Sequence, residues 1–328
     1  VAGCGDGTNL GAILERRVTV TAALLPLHRR YRPTGALELG STLGPHVRGR
    51  YDPCHRISAD GAHWRTWRTP MGSATLRLTA DPGAGEIDAT AWGAGADWAL
   101  DGVPALLGAG DEWPALDLPA GVLRDTYRRL AGLRLSRSGL VFESLVPAIL
   151  EQLVTGVEAR RSWGRLLARY GEAAPGPAPD GMRVFPEAAV VTRIPDWEWH
   201  RIGLDGRRRH TLVGAAHVAH RLDEAATFDV DAAVRRLVSL PGIGAWTAAE
   251  VVQRSHGAAD TVSVGDYNLP NAVGYVFTGR PRSDDAQMLA LLEPYRPHRQ
   301  RVVRLVEACG VTAPRYGPRM ALRDNRRI

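Results

Sequence analysis

Residues 240–251 read LPGIGAWTAAEV, a proline and two glycines set between segments that both carry helical periodicity. Upstream, Val230, Ala233, Val234 and Leu237 recur at i, i+3, i+4 and i+7, which puts one apolar stripe on a helix. Pro241 has no N–H with which to continue that helix, and Gly242 and Gly244 admit backbone angles closed to other residues. Ile243 between them can anchor the turn in a core. The spacing predicts helix, tight hairpin at 239–247, then a second helix from 245. The first N–H groups of that second helix face outward and suit an anion.

Nucleotide readings of this turn fail on residue type. A Walker loop needs four residues between its glycines and then a lysine, and a dinucleotide fold needs a strand before G-x-G-x-x-G. Here a helix precedes the turn, Thr247 stands at the third glycine's place, and the chain contains no lysine, so all 41 Lys+Arg are arginine. The pattern is that of a helix–hairpin–helix, in which Pro241, Gly242, Ile243, Gly244 and Thr247 would grip one nucleic-acid phosphate through backbone without reading bases. Taken alone, the stretch is equally an ordinary glycine-rich helix turn.

Composition supports a globular protein of two or three domains: 328 residues, 45% hydrophobic and 23% charged. The net charge of +6 is carried by arginine, which binds phosphate bidentately, although the codon usage of a GC-rich genome gives the same bias. Without lysine there is no side-chain amine for a Schiff base. Cys4, Cys54 and Cys309 are too scattered for a disulfide framework or a four-thiolate cluster. Cys54-His55 with His63 matches no usual zinc spacing, so the cysteine reads as structural and no metal site is expected. No apolar run reaches bilayer-spanning length, and a cytoplasmic protein without membrane partners is the expectation.

Along the chain, 18–27 reads as a strand, 73–80 and 87–93 as a hairpin closed by DPGAGE, and 110–117 as a linker. Helical spacing then dominates. Residues 140–171 predict two helices parted near Thr155-Gly156, 172–181 a surface loop, and further helices fit 186–194, 207–222, 231–239, 245–256, 284–293 and 297–309.

VGDY at 264–267 places Asp266 22 positions beyond Gly244. With that pair of motifs the chain resembles the helix–hairpin–helix DNA glycosylases, and within them the 3-methyladenine DNA glycosylase II (AlkA) family. FESLVPAILEQLV (142–154) and YRPHRQRVVRLVEACG (295–310) extend the likeness. The resemblance implies an α+β fold: a small mixed α/β domain over 1–112, an all-α glycosylase body over 113–314, and a basic tail over 315–328. It implies a monofunctional enzyme of base excision repair that hydrolyses the N-glycosidic bond of flipped-out alkylated purines, of the 3-methyladenine and 7-methylguanine type, in duplex DNA. A monomer, associated with the nucleoid when bound to DNA, is implied. So is a site with no required cofactor and no iron–sulfur cluster, leaving room for a structural monovalent cation at the hairpin.

Breaking that bond builds positive charge on the sugar, which a fixed carboxylate can stabilise while it orients water. The resemblance assigns both roles to Asp266, which as a residue is also a good helix cap. Trp246 stands where bifunctional relatives keep a reactive lysine, which implies water as the nucleophile. The same Trp246 can stack on a flipped base or pack the hairpin. Tyr267 is a further base-pocket candidate. Glu250 and His298 replace aromatic residues of the family's pocket and make it more polar, with an exposed helical glutamate as the plainer alternative. Gln152 and Leu153 resemble the family's wedge, with Leu153 filling the gap left by base flipping; a helical leucine is otherwise core. Arg299, Arg301, Arg304 and the tail arginines are the candidates for DNA backbone contacts. Two other functions stay open on these residues: a glycosylase for bulky or deaminated bases, and a non-catalytic DNA-binding module.

Overall fold

The computed structural model describes residues 25–112 and 114–314. Cys4, most of the strand read at 18–27 and the tail at 315–328 lie outside them.

The first domain is a five-stranded antiparallel sheet of order β1-β5-β4-β3-β2, built from β1 (Leu27–Tyr31), β2 (His55–Ile57), β3 (His63–Thr69), β4 (Gly72–Asp81) and β5 (Glu86–Trp92). The hairpin read at 73–93 is β4–β5, in the register Ala80↔Ile87. Period-two alternation sends Ala74, Leu76 and Leu78 to one face. There they pack on α1 (Leu39–Leu43), α2 (Ala96–Asp101) and α3 (Val103–Leu106) through Leu43, Leu100, Val103 and Leu106. The opposite face carries Trp64 stacked on Trp92 at 5.5 Å, closed over by Met182 of the second half of the chain.

The remaining described residues are mainly helical. It comprises α4 (Val122–Arg129), α5 (Val141–Leu150), α6 (Gly156–Tyr170), α7 (Ala188–Val191), α8 (Asp196–Ile202), α9 (Gly206–His217), α10 (Ala219–Glu224), α11 (Val230–Val238), α12 (Ala245–Ser255), α13 (Leu269–Thr278), α14 (Asp285–Leu292) and α15 (Arg299–Ala308). The α5–α6 break falls at Thr155, whose hydroxyl and the Glu158 carboxylate close a capping box. The single helix read over 207–222 divides at Val218, which leaves the helical region at φ −116°, ψ 19°. The loop at 172–181 opens with β6 (Glu172–Ala173), paired with β7 (Arg183–Val184), and α4, α8 and α13 form where no helix is expected from periodicity.

Among the described residues the body has two apolar clusters. One surrounds the buried α5 and takes in Leu145, Ile149, Trp199, Leu212, Leu237, Ile243 and Val251. The other joins Leu118 and Leu123 to Val262, Leu269, Val273, Met288 and α15. Helix α12 belongs to the first and α13 to the second, so the loop between them crosses the seam.

Candidate active site

The hairpin forms as its residues dictate. Ile243 is buried in the cluster around α5, while Pro241, Gly242 and Gly244 are exposed. Gly242 has φ +84°, and a Cβ there would stand 2.1 Å from Thr211 Oγ1 of α9, so both backbone angle and close approach require glycine. Gly244 is the N-cap of α12 in extended backbone, with no side chain capping the helix. The turn is tied down from outside: the Gln152 amide donates to Gly242 O at 3.0 Å and to Thr247 Oγ1 at 2.9 Å. Thr247 is buried. Gln152 therefore braces the hairpin, a role the sequence reading did not give it.

Next to it, Leu153 is 83% exposed and is the non-glycine residue with positive φ, +54°, among the described residues. A bulky residue held in the left-handed region costs on the order of 1–3 kcal/mol and survives where its surroundings over-determine it. This leucine is not core. It is presented to solvent beside the hairpin, as a wedge would be.

The first turn of α12 places Trp246 against the loop that follows the helix. Its Nε1–H donates to Asp266 Oδ2 at 3.0 Å. Asp266 Oδ1 accepts the backbone N–H groups of Asn268 and Leu269, each at 2.8 Å, and so satisfies the start of α13. Three neutral donors thus fix a half-buried carboxylate across the seam. Capping and a fixed carboxylate coexist in the one residue.

Deeper along the same face of α12, the structure departs from the expected pocket. Glu250 is neither exposed nor open to a ligand: Oε1 accepts Ser263 Oγ at 2.6 Å and Oε2 accepts Arg254 at 2.8 Å. Burial alone would raise its pKa, but the Arg254 charge and the Ser263 bond outweigh it and hold the carboxyl below its usual range. Arg254 also donates to Pro45 O at 2.8 Å, and Arg48 of the first domain adds a further charge, its pKa drawn down to about 10 by burial and then by Arg254. Tyr267, expected in the pocket, is 83% exposed. His298 is the N-cap of α15, with its Nδ1 buried and without a hydrogen-bond partner.

The C-terminal arginines are also corrected. Arg299 makes a bidentate pair with Asp260, at 2.9 and 2.7 Å, and donates to its carbonyl. Arg301 is fully buried on Asp111 and the Glu112 carbonyl, and Arg304 bonds Glu307 and the Ser41 carbonyl. These guanidiniums hold α15 to the body and are committed within the fold. Cys54 is likewise structural, buried with its thiol donating to Arg183 O at 3.3 Å.

No family model matches the chain. DNA-3-methyladenine glycosylase 2 of Escherichia coli is 29% identical over 170 residues, covering 51% of this chain and 57% of that protein. The match thus spans little more than half the length of that relative. Among solved structures, the 3-methyladenine DNA glycosylase from Archaeoglobus fulgidus superposes with a TM-score of 0.67 at 18% identity, over 86% of this chain and 98% of its own. The Clostridium acetobutylicum 8-oxoguanine glycosylase/lyase, in complex with DNA, gives 0.62 at 10% identity, over 86% and 96%. At such identities the superpositions establish the fold, and the AlkA likeness rests on the sequence match and the hairpin–aspartate pair. The chain thus has the fold of these DNA glycosylase structures, and over about half its length its sequence is similar to DNA-3-methyladenine glycosylase 2.

Proposed function

We propose that this protein is a monofunctional DNA glycosylase that removes alkylated purines from duplex DNA and leaves an abasic site. The observation that carries the reading is the Trp246–Asp266 bond at 3.0 Å, which holds a carboxylate beside the phosphate-gripping hairpin. In the reaction the C1′–N bond breaks with its electron pair going to the departing base, which leaves neutral if alkylation had made it cationic. Positive charge develops on the sugar, and the Asp266 carboxylate stabilises it. Water bonds to C1′ and gives up its proton, for which the same carboxylate is the base. Trp246 supplies an indole where a lyase would need an amine. The proposed DNA partner is held by the hairpin 241–247, with Leu153 filling the stack as the base leaves. We propose no cofactor.

Base release from methylated duplex tests this directly. Wild-type protein should release methylpurines, and Asp266→Asn should not, while both bind a duplex carrying a tetrahydrofuran abasic analogue. Absence of release from any damaged duplex would refute the enzyme reading, and release by the variant would move catalysis elsewhere. Prompt strand nicking by the pure protein would overturn the monofunctional part alone.

A further inference from the structure

The wedge segment has neighbours on two sides. Gln152 reaches the hairpin, as described above. Glu151 lies 3.6 Å from Arg48, where a loop of the first domain begins. That loop closes on itself: Arg48 N–H donates to Asp52 Oδ2 at 2.8 Å, and Asp52 N–H donates to Gly49 O at 3.2 Å. Gly49 has φ +85°, and a Cβ on it would stand 2.4 Å from Arg160 Cδ, so the loop lies directly on the first turns of α6. Arg160 in turn folds back over Gly156, three residues after Leu153.

What this packing presents outward is Arg50 and Tyr51. Tyr51 is 79% exposed, and the Arg50 guanidinium carbon sits 5.5 Å from its ring centroid. Arg160 is exposed as well. Among the described residues neither Arg50 nor Arg160 has an acidic partner, in contrast to Arg299, Arg301 and Arg304, whose charges are all matched inside the fold. An exposed aromatic ring beside an exposed guanidinium, on a loop that packs against a second exposed arginine, combines the two chemistries that hold an opened nucleic acid, cation to phosphate and ring to base face.

We infer that Arg50, Tyr51 and Arg160 form a second DNA contact, continuous with the wedge and supplied jointly by a loop of the first domain and by α6. Arg50 and Arg160 take phosphates beside the opened site. Tyr51 stacks on the base that loses its partner when the lesion flips out. The inference rests on the glycosylase reading, and it gives the N-terminal domain a direct part in binding.

The test uses the full chain and a duplex with a tetrahydrofuran site opposite 2-aminopurine. Tyr51→Ala should weaken binding roughly 5- to 100-fold and abolish the stacking-dependent change in 2-aminopurine emission, with Tyr51→Phe restoring both. Arg50→Ala and Arg160→Ala should each lower the slope of log K against log salt by about one unit, with thermal melting unchanged. Wild-type protein that fails to bind this duplex sinks the glycosylase reading and this surface with it. If wild type binds and the three variants keep its affinity, salt slope and emission change, the surface alone is overturned.

Discussion

Asp266 and Glu250 are linked to the two successive turns at the start of α12, and the fold treats them in opposite ways. Asp266 accepts an indole N–H and two backbone N–H groups, donors that orient a carboxylate without cancelling its charge. Glu250 accepts a serine hydroxyl and the Arg254 guanidinium, so its charge is neutralised where it lies. A positive sugar feels the first and not the second. The difference separates a carboxylate that is available for chemistry from one whose charge is matched in place, whereas the sequence resemblance implied catalysis for Asp266 and the base pocket for Glu250.

The sharpest way to break this comparison is to remove each charge in turn. Asp266→Asn keeps the acceptor for Asn268 and Leu269, so melting should barely move, while the rate of methylpurine release falls by at least about 10²–10³-fold. Glu250→Ala should do the reverse. It strands the largely buried Arg254, and losing one partner of such a pair costs up to about 3–5 kcal/mol, seen as a drop of up to roughly 10 °C in melting temperature. At a temperature where the variant is folded, release should stay within a few-fold of wild type. A Glu250→Ala protein that melts normally and releases nothing would reverse the roles.

Trp246 sharpens the comparison at smaller amplitude, because the sequence allowed it two functions. If the indole N–H matters as the clamp on Asp266, Trp246→Phe keeps a ring for stacking but loses the donor. Release should then slow about tenfold, a charged-acceptor hydrogen bond being worth roughly 1.5–3 kcal/mol and this one being partly solvated. Affinity for abasic duplex should not change. If stacking dominates, the phenylalanine variant behaves as wild type and only Trp246→Ala fails, with the loss in KM.

How much of this was legible in the sequence follows from the range of each interaction. The hairpin was readable because Pro241, Gly242, Ile243 and Gly244 act on their own backbone. The nearness of Asp266 to that hairpin was readable through its spacing to it. Helix ends were readable where caps are local, as at Thr155. The state of Glu250 was not, since it depends on Ser263 from a loop and on charges at Arg48 from another domain. Arg299 failed for the same reason: its partner, Asp260, stands 39 positions earlier. Exposure of Leu153 and Tyr267 depends on which neighbours the fold brings near, and residue type alone argues for burial of both. Helix α13 starts after the N-cap Asn268, with Asp266 two residues earlier accepting Leu269 N–H and Pro270 in the first turn, signals of a helix start that periodicity over so short a segment does not register.

A third carboxylate extends the contrast to the domain interface and has the smallest expected effect. Glu143, in the first turn of α5, accepts Arg68 N–H of β3 at 2.9 Å. It has a neutral donor like Asp266, and burial of its carboxyl, only partly offset by Arg65, pushes its pKa up from 4.5 to about 7. The folded state therefore holds a proton that the unfolded chain releases between those values. This contribution to stability is complete below pH 4.5 and is lost as pH rises through about 7. His46 and His55, held neutral by burial, act with the opposite sign as pH falls, and do so equally in a Glu143 variant. Glu143→Gln keeps a side-chain oxygen for Arg68 and cannot ionise. Its melting temperature relative to wild type should therefore rise between pH 5 and pH 8. Parallel melting profiles across that range would mean that Glu143 ionises in the folded protein as it does in water, and that burial at the interface is less complete than its position implies.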